Sequence, residues 1–336
     1  MILRTNAVTV VVVALAGACT AGDSNQQDAT PTTAVSATTV PAPVTASTVP
    51  PAWQAKTAAP TARQEVAAAV ADGKVWVLGG LTTAGASAKT ESYDPAANQW
   101  AAGPDLPVAV HHSAATTFRG EVVLAGGFLA SGELYSRPSD RAFALRNGSW
   151  VELPRLARPR GAAAAAATGN SLVVVGGRDT SGLIAPTEIF DGTAWRDAAA
   201  IPSPRDHLAA ASDGRLVFAV GGRRLSPAAT SSVLERYDPV ANSWENLPAM
   251  PTARGGLGAA ITGGRLVAVG GEDATRTYGE VESYELAGRA WAALPPSPSP
   301  RHGLAVGAVG SAVAALVGGT QSGVAPSSKA ATLGPL

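Results

Sequence analysis

The chain has 336 residues, with Lys plus Arg and Asp plus Glu both at 25, so its formal net charge is zero. A nucleic-acid partner needs a cationic excess to displace phosphate counterions, and this composition offers none. Charged residues make up only 15%, while Gly numbers 37 and Pro 25, a mixture suited to short strands joined by tight turns. The single cysteine excludes an intramolecular disulfide and a thiolate metal cluster.

Met1 to Asn6 carries Arg4, and Ala7 to Leu15 is an apolar run too short to span a bilayer. Leu15-Ala16-Gly17-Ala18-Cys19 then resembles the bacterial lipobox, although the position three before the cysteine is Ala16 and not the usual aliphatic. The resemblance implies export, with Cys19 lipidated as the new N-terminus and holding the protein to the outer face of the cytoplasmic membrane or envelope. Simple secretion is the alternative. From Thr20 to about Pro51 the chain is dominated by Thr, Ala, Pro, Ser and Val, without an aromatic residue and with almost no charge after Asp28. Such a segment buries too little apolar area to offset chain entropy and is expected to be an extended tether.

Beyond it an internal period sets in. Glycine doublets close apolar runs at Gly79-Gly80, Gly126-Gly127, Gly176-Gly177, Gly221-Gly222, Gly270-Gly271 and Gly318-Gly319, and tryptophans follow at Trp100, Trp150, Trp195, Trp244 and Trp291. Tyr93, Phe143, Tyr237 and Tyr284 each stand seven before a tryptophan, with Phe190 five before Trp195. Asp94-Pro95 and Asp238-Pro239 read as turns, and Arg160, Arg205, Arg254 and Arg301 fall ten after a tryptophan.

A Gly-Gly doublet, Tyr-Asp-Pro, Trp and Pro-x-x-Arg in this order resemble the kelch repeat. The resemblance implies an all-β fold, a kelch-type β-propeller with four antiparallel strands per blade. Lys74 to Leu78, Leu172 to Val175 and Leu216 to Val220 suit second strands covered on both faces, and the alanines of Gly161 to Ala167 suit innermost strands near a crowded axis. The sixth unit lacks a following tryptophan, whereas Trp53 stands ten before Arg63. A strand around Trp53 is therefore expected to close the last of six blades against Ser328 to Leu333. The expected division is a signal peptide over 1–18, a tether over 19–51 and the propeller over 52–336.

Arg63, Arg160, Arg205, Arg254 and Arg301 enter the innermost strands, with Val110 in that place in the second unit. They either tie blades together through carbonyls or form a ring of donors for an anionic or polyhydroxylated ligand. His111, His112, His207 and His302 follow the same junctions in blades two, four and six. Arg178, Arg223 and Glu272, just past glycine doublets, are expected to join this rim, with Asp206 as its other carboxylate. No His-x-His or His-x-x-x-His spacing is present and the strands are expected to hold the imidazoles apart, so no metal and no cofactor is expected. The copper-radical oxidase of the kelch family needs a cysteine cross-linked to tyrosine, and Cys19 is committed to the anchor. The sequence therefore favours a monomeric, non-enzymatic module binding a carbohydrate, envelope polymer or protein through the channel mouth. A carbohydrate-acting isomerase, mutarotase or lyase at the same rim, and a pure scaffold, are the alternatives.

Overall fold

The computed structural model describes residues 49–130, 135–321 and 323–336. The expected signal peptide, Cys19 and nearly all of the tether lie outside the described residues.

Among those residues six four-stranded antiparallel sheets form, each from one continuous stretch of chain except the last. Blade 1 holds Ala67–Ala71, Lys74–Leu78, Thr90–Asp94 and Gln99–Ala102. The innermost strands of blades 2 to 6 are Ala114–Phe118, Ala164–Ala167, Ala209–Ser212, Gly258–Thr262 and Ala305–Val309. Each touches the next, and that of blade 6 touches that of blade 1, so the sheets surround one axis. Small side chains let six strands converge there, which is why an alanine run with high helix propensity becomes a strand.

Second strands are sandwiched between neighbouring blades. Leu172–Val175 is buried at every position, and each such side chain removed from water contributes about 1.5–3 kcal/mol. Third and fourth strands meet through the aromatic pairs: Tyr93 lies opposite Trp100 with ring centroids 5.1 Å apart, and Tyr237 opposite Trp244 at 5.0 Å. The Asp94 carboxylate accepts from the Ala96 and Ala97 amides at 2.9 and 3.0 Å, which fixes the turn between those strands.

Blade 6 is composite. Its inner strands are Ala305–Val309, Ala312–Gly319 and Pro326–Gly334, and its outer strand is Ala52–Lys56, with Trp53 opposite Leu333 and Lys56 opposite Ala330. Closure therefore joins the two ends of the propeller and pairs the Pro326–Gly334 strand on both sides. The tryptophan indoles repeat this closure on the perimeter. Trp100 donates to Thr57 O, Trp150 to Pro104 O and Trp53 to Pro295 O, all at 2.8 Å, each reaching the blade before its own.

One register expectation is corrected. In the sixth unit the doublet positions are filled by Val317 (φ 51°) and Gly318 (φ 108°), matching Gly79 (φ 58°) and Gly80 (φ 98°). Val317 follows Arg301 by 16 as Gly79 follows Arg63, so Gly319, bridged to His302, stands one place beyond the doublet. The second glycine is required because a Cβ on Gly80 would meet Gln64 O at 2.6 Å, and one on Gly318 would meet His302 O at 2.9 Å.

Candidate functional site

At one end of the channel each blade contributes one residue with positive φ: Glu65, His112, Ala162, His207, Gly256 and Gly303. Their backbones form a chain of hydrogen bonds around the axis. The His112, Ala162, His207, Gly256 and Gly303 amides each donate to the carbonyl of the preceding member at 2.7–2.9 Å, and Val66 N closes the circle on Gly303 O at 3.3 Å. Gly256 and Gly303 show what this backbone favours. A non-glycine residue in the left-handed region costs roughly 1–2 kcal/mol, so Glu65, His112 and His207 keep their side chains at the axis against that strain.

The structure divides the residues picked out from the sequence into two groups. Arg63, Arg160, Arg205, Arg254 and Arg301 are wholly buried and turn into their own blades. Arg63 donates to Gly79 O at 3.0 Å and pairs with Glu91 at 2.7 Å, and Arg160 pairs with Glu188 at 2.6 Å. Arg205 pairs with Glu235, and Arg254 with Glu282 at 2.5 Å. Arg301 donates only to carbonyls, among them Val317 O and Lys329 O, because Ala331 stands opposite Ala315 where the other four arginine-bearing blades place glutamate. Burial, with no carboxylate to offset it, lowers its pKa to about 10. These guanidiniums serve their own blades and do not line the cavity at the mouth.

The second group converges. His111, His112, Asp206, His207, Arg223, Glu272 and His302 are all buried at the mouth, with Arg178 half-buried beside them. The expectation that the imidazoles stand apart is corrected: the His112 and His207 rings lie 4.9 Å apart. The left-handed backbone turns both inward, which residue spacing alone does not reveal. Arg223 links the sides of the cluster, donating to Glu272 at 2.9 Å and to His207 Nε2 at 2.7 Å. His207 Nδ1 then carries the hydrogen and faces Asp206 Oδ1 at 3.3 Å.

Two residues in this cluster were not picked out from the sequence. Glu65 sits at its centre, with Oε2 3.1 Å from His112 Nε2 and Oε1 2.9 Å from His302 Nδ1. Asp206 and Glu272 are thus not its only carboxylates. Its register gave the signal, since Glu65 follows Arg63 by two as His207 follows Arg205. Tyr135 covers the cluster, its ring 5.4 Å from that of His112 and 5.2 Å from the Arg178 guanidinium. It comes from the connection between second and third strands of blade 2, and no repeat position points to it.

Charge is sharply partitioned here. His302 Nε2 faces Gln321 O at 3.0 Å while Nδ1 faces Glu65, so both nitrogens carry hydrogen and the ring is an imidazolium. Burial opposes that charge, but the hydrogen bond and charge of Glu65 with the charge of Glu272 raise the pKa to about 9. Burial likewise works against charge on Glu65, yet the charged His302 beside it and its hydrogen bond hold the carboxyl well below the usual range. Burial keeps His112 neutral and lowers His111 to about 4. The cavity below the ring is about 70 Å³ and is lined by Glu65, His112 and His207 among others. That suits an ion or a few waters.

The family model for the kelch motif matches residues 62–107 and 204–251, which take in blades 1 and 4. Over 122 residues the chain is 30% identical to Kelch-like protein terF of Aspergillus terreus (strain NIH 2624 / FGSC A1156), a stretch covering 33% of this chain. The match spans only about a quarter of that relative, 27% of its length. With the closed ring described above, the chain is a six-bladed β-propeller of kelch-type repeats, an architecture that points to an interaction module.

Proposed function

We propose that the chain is a non-enzymatic binding module that receives a protein partner on its mouth face and is held outside the cytoplasm through Cys19. The observation that carries this reading is the placement of exposed aliphatic side chains. Leu225 and Val324, 45% and 53% exposed, stand on loops that join second to third strands in blades 4 and 6. Both loops adjoin the junctions that carry the polar cluster: Arg223 bridges Asp206, and Gln64 bonds Gly323 O and Ala325 N at 2.7 and 2.6 Å. Apolar anchors rimmed by charge favour a protein surface.

A photo-crosslinking residue placed at Leu225 or Val324 of the full chain, expressed in its own cells, should give a discrete adduct identifiable by mass spectrometry. The same residue at Val240, which is 93% exposed on a turn between third and fourth strands at the opposite end, should give none. Adducts from Val240 alone, or from no position, would count against a mouth-face partner. Anchoring is tested separately by Cys19→Ala, which should move the protein from the membrane fraction to the soluble one.

A further inference from the structure

We propose that Glu65, His112 and His207 form a divalent-cation site of the zinc type on the propeller axis, with its open coordination position facing the cavity they line. The candidate ligand atoms of these three residues lie within 4.8 Å of one another, and all three side chains are buried. Two imidazole nitrogens and a carboxylate are a ligand set suited to zinc, and three protein ligands leave a fourth place for water or an incoming group. Glu65 Oε2 and His112 Nε2 are already 3.1 Å apart, close to the roughly 3.3 Å edge of a tetrahedron with bonds of about 2.0 Å.

The second observation is an unused lone-pair position. His112 is 6% exposed, and its Nε2 has no hydrogen-bond partner although it points at the cluster. Such an atom costs free energy unless something meets it.

The surroundings supply what metal-binding side chains need behind them. Ligating imidazoles donate their second N–H to an acceptor, which fixes tautomer and orientation. His112 Nδ1 lies 2.5 Å from His111 Nδ1, so a hydrogen on the His112 nitrogen has an acceptor and Nε2 is left free. His207 Nδ1 faces the Asp206 carboxylate at 3.3 Å, a carboxylate–imidazole pair that leaves Nε2 as the ligand. Both Asp206 oxygens are buried and lack a hydrogen-bond partner, with only the Arg223 Nε at 3.8 Å as a counter-charge besides His207, which places an acceptor with free lone pairs behind the imidazole. Glu65 Oε1 is held by His302 at 2.9 Å, leaving Oε2 for the cation.

One group stands in the way. The Arg223 guanidinium donates to His207 Nε2 at 2.7 Å, the atom that the cation needs. Arg223 is also held by Glu272 at 2.9 Å, so it can release the imidazole while keeping a carboxylate partner. Cation and guanidinium therefore compete for His207, and this competition separates the proposal from incidental surface binding.

The test is calorimetric titration of the chelator-stripped full chain with zinc chloride, repeated with cobalt(II) to read the ligand field by absorption. One equivalent should bind, with a cobalt spectrum of tetrahedral nitrogen–oxygen type. His207→Gln should weaken binding at least tenfold, and Asp206→Asn by about 10–100-fold. Arg223→Gln should tighten it roughly tenfold or more, because a unit charge a few ångströms away is removed. Should His207→Gln fail to fold, the Arg223→Gln result decides. No stoichiometric binding, binding lost with Cys19→Ser, or binding weakened or unchanged by Arg223→Gln would each overturn the proposal.

Discussion

Glu65 and His302 are separated by 237 positions in the chain and joined by a hydrogen bond of 2.9 Å between Oε1 and Nδ1. The contact exists because blade 6 returns to lie against blade 1. Two elements of closure, the outer strand around Trp53 and the axial circle of backbone hydrogen bonds, bring those junctions together. The charged heart of the mouth is thus a product of ring closure and belongs to no single repeat.

Stability should depend on pH through this cluster. The pKa of His302 is raised from 6.5 to about 9, so its stabilising contribution is complete below 6.5 and is lost as pH rises through about 9. His111 acts in the opposite sense. Lowered from 6.5 to about 4, it favours the folded chain above 6.5 and loses that contribution as pH falls through about 4. Urea midpoints measured across this range should decline on both sides of neutrality. Glu65→Gln should flatten the alkaline decline; an unchanged alkaline limb would mean that the pair does not form.

The buried arginines should respond unequally to truncation. Arg205→Met strands Glu235, which is completely buried, and breaking such a pair costs about 3–5 kcal/mol. Adding Glu235→Leu should recover most of that loss. Arg301→Met leaves no carboxylate behind and should cost clearly less than Arg205→Met. Denaturant unfolding of the three variants checks the order, and equal losses for Arg205→Met and Arg301→Met would contradict it.

The architecture was legible because its markers are local and repeat. Glycine doublets and tryptophans keep one period, and the interval from Trp53 to Arg63 places the closing strand. The site was only partly legible. Arg205 and His207 are two residues apart, yet one turns into its blade and the other faces the axis, because His207 adopts a φ of 52°. Backbone handedness at a single residue decided which side chains meet. Glu65 shares that register but differs in residue type from the histidines, so a search by type passes it by. Val317 in a doublet position was hidden by the adjacent Gly318-Gly319, although its interval of 16 from Arg301 equals that from Arg63 to Gly79.

Closure itself should be sensitive to the outer strand. Trp53→Ala removes a half-buried indole and its bond to Pro295 O at 2.8 Å, for an expected loss of about 2 kcal/mol. Deleting residues 52–56 should do more, since the Pro326–Gly334 strand then presents an unpaired edge. Sedimentation should show self-association of the deleted chain, while the Trp53→Ala protein stays at the size of the parent.

The convergence of side chains on the axis is tested most directly by the titration of the four histidines, followed by nuclear magnetic resonance of the imidazole nitrogens. His302 should titrate at about 9 and His111 at about 4, with assignments made by single substitution. Four histidines all titrating close to 6.5, as free imidazoles do, would mean that the mouth is solvated and that Glu65 and His302 do not meet.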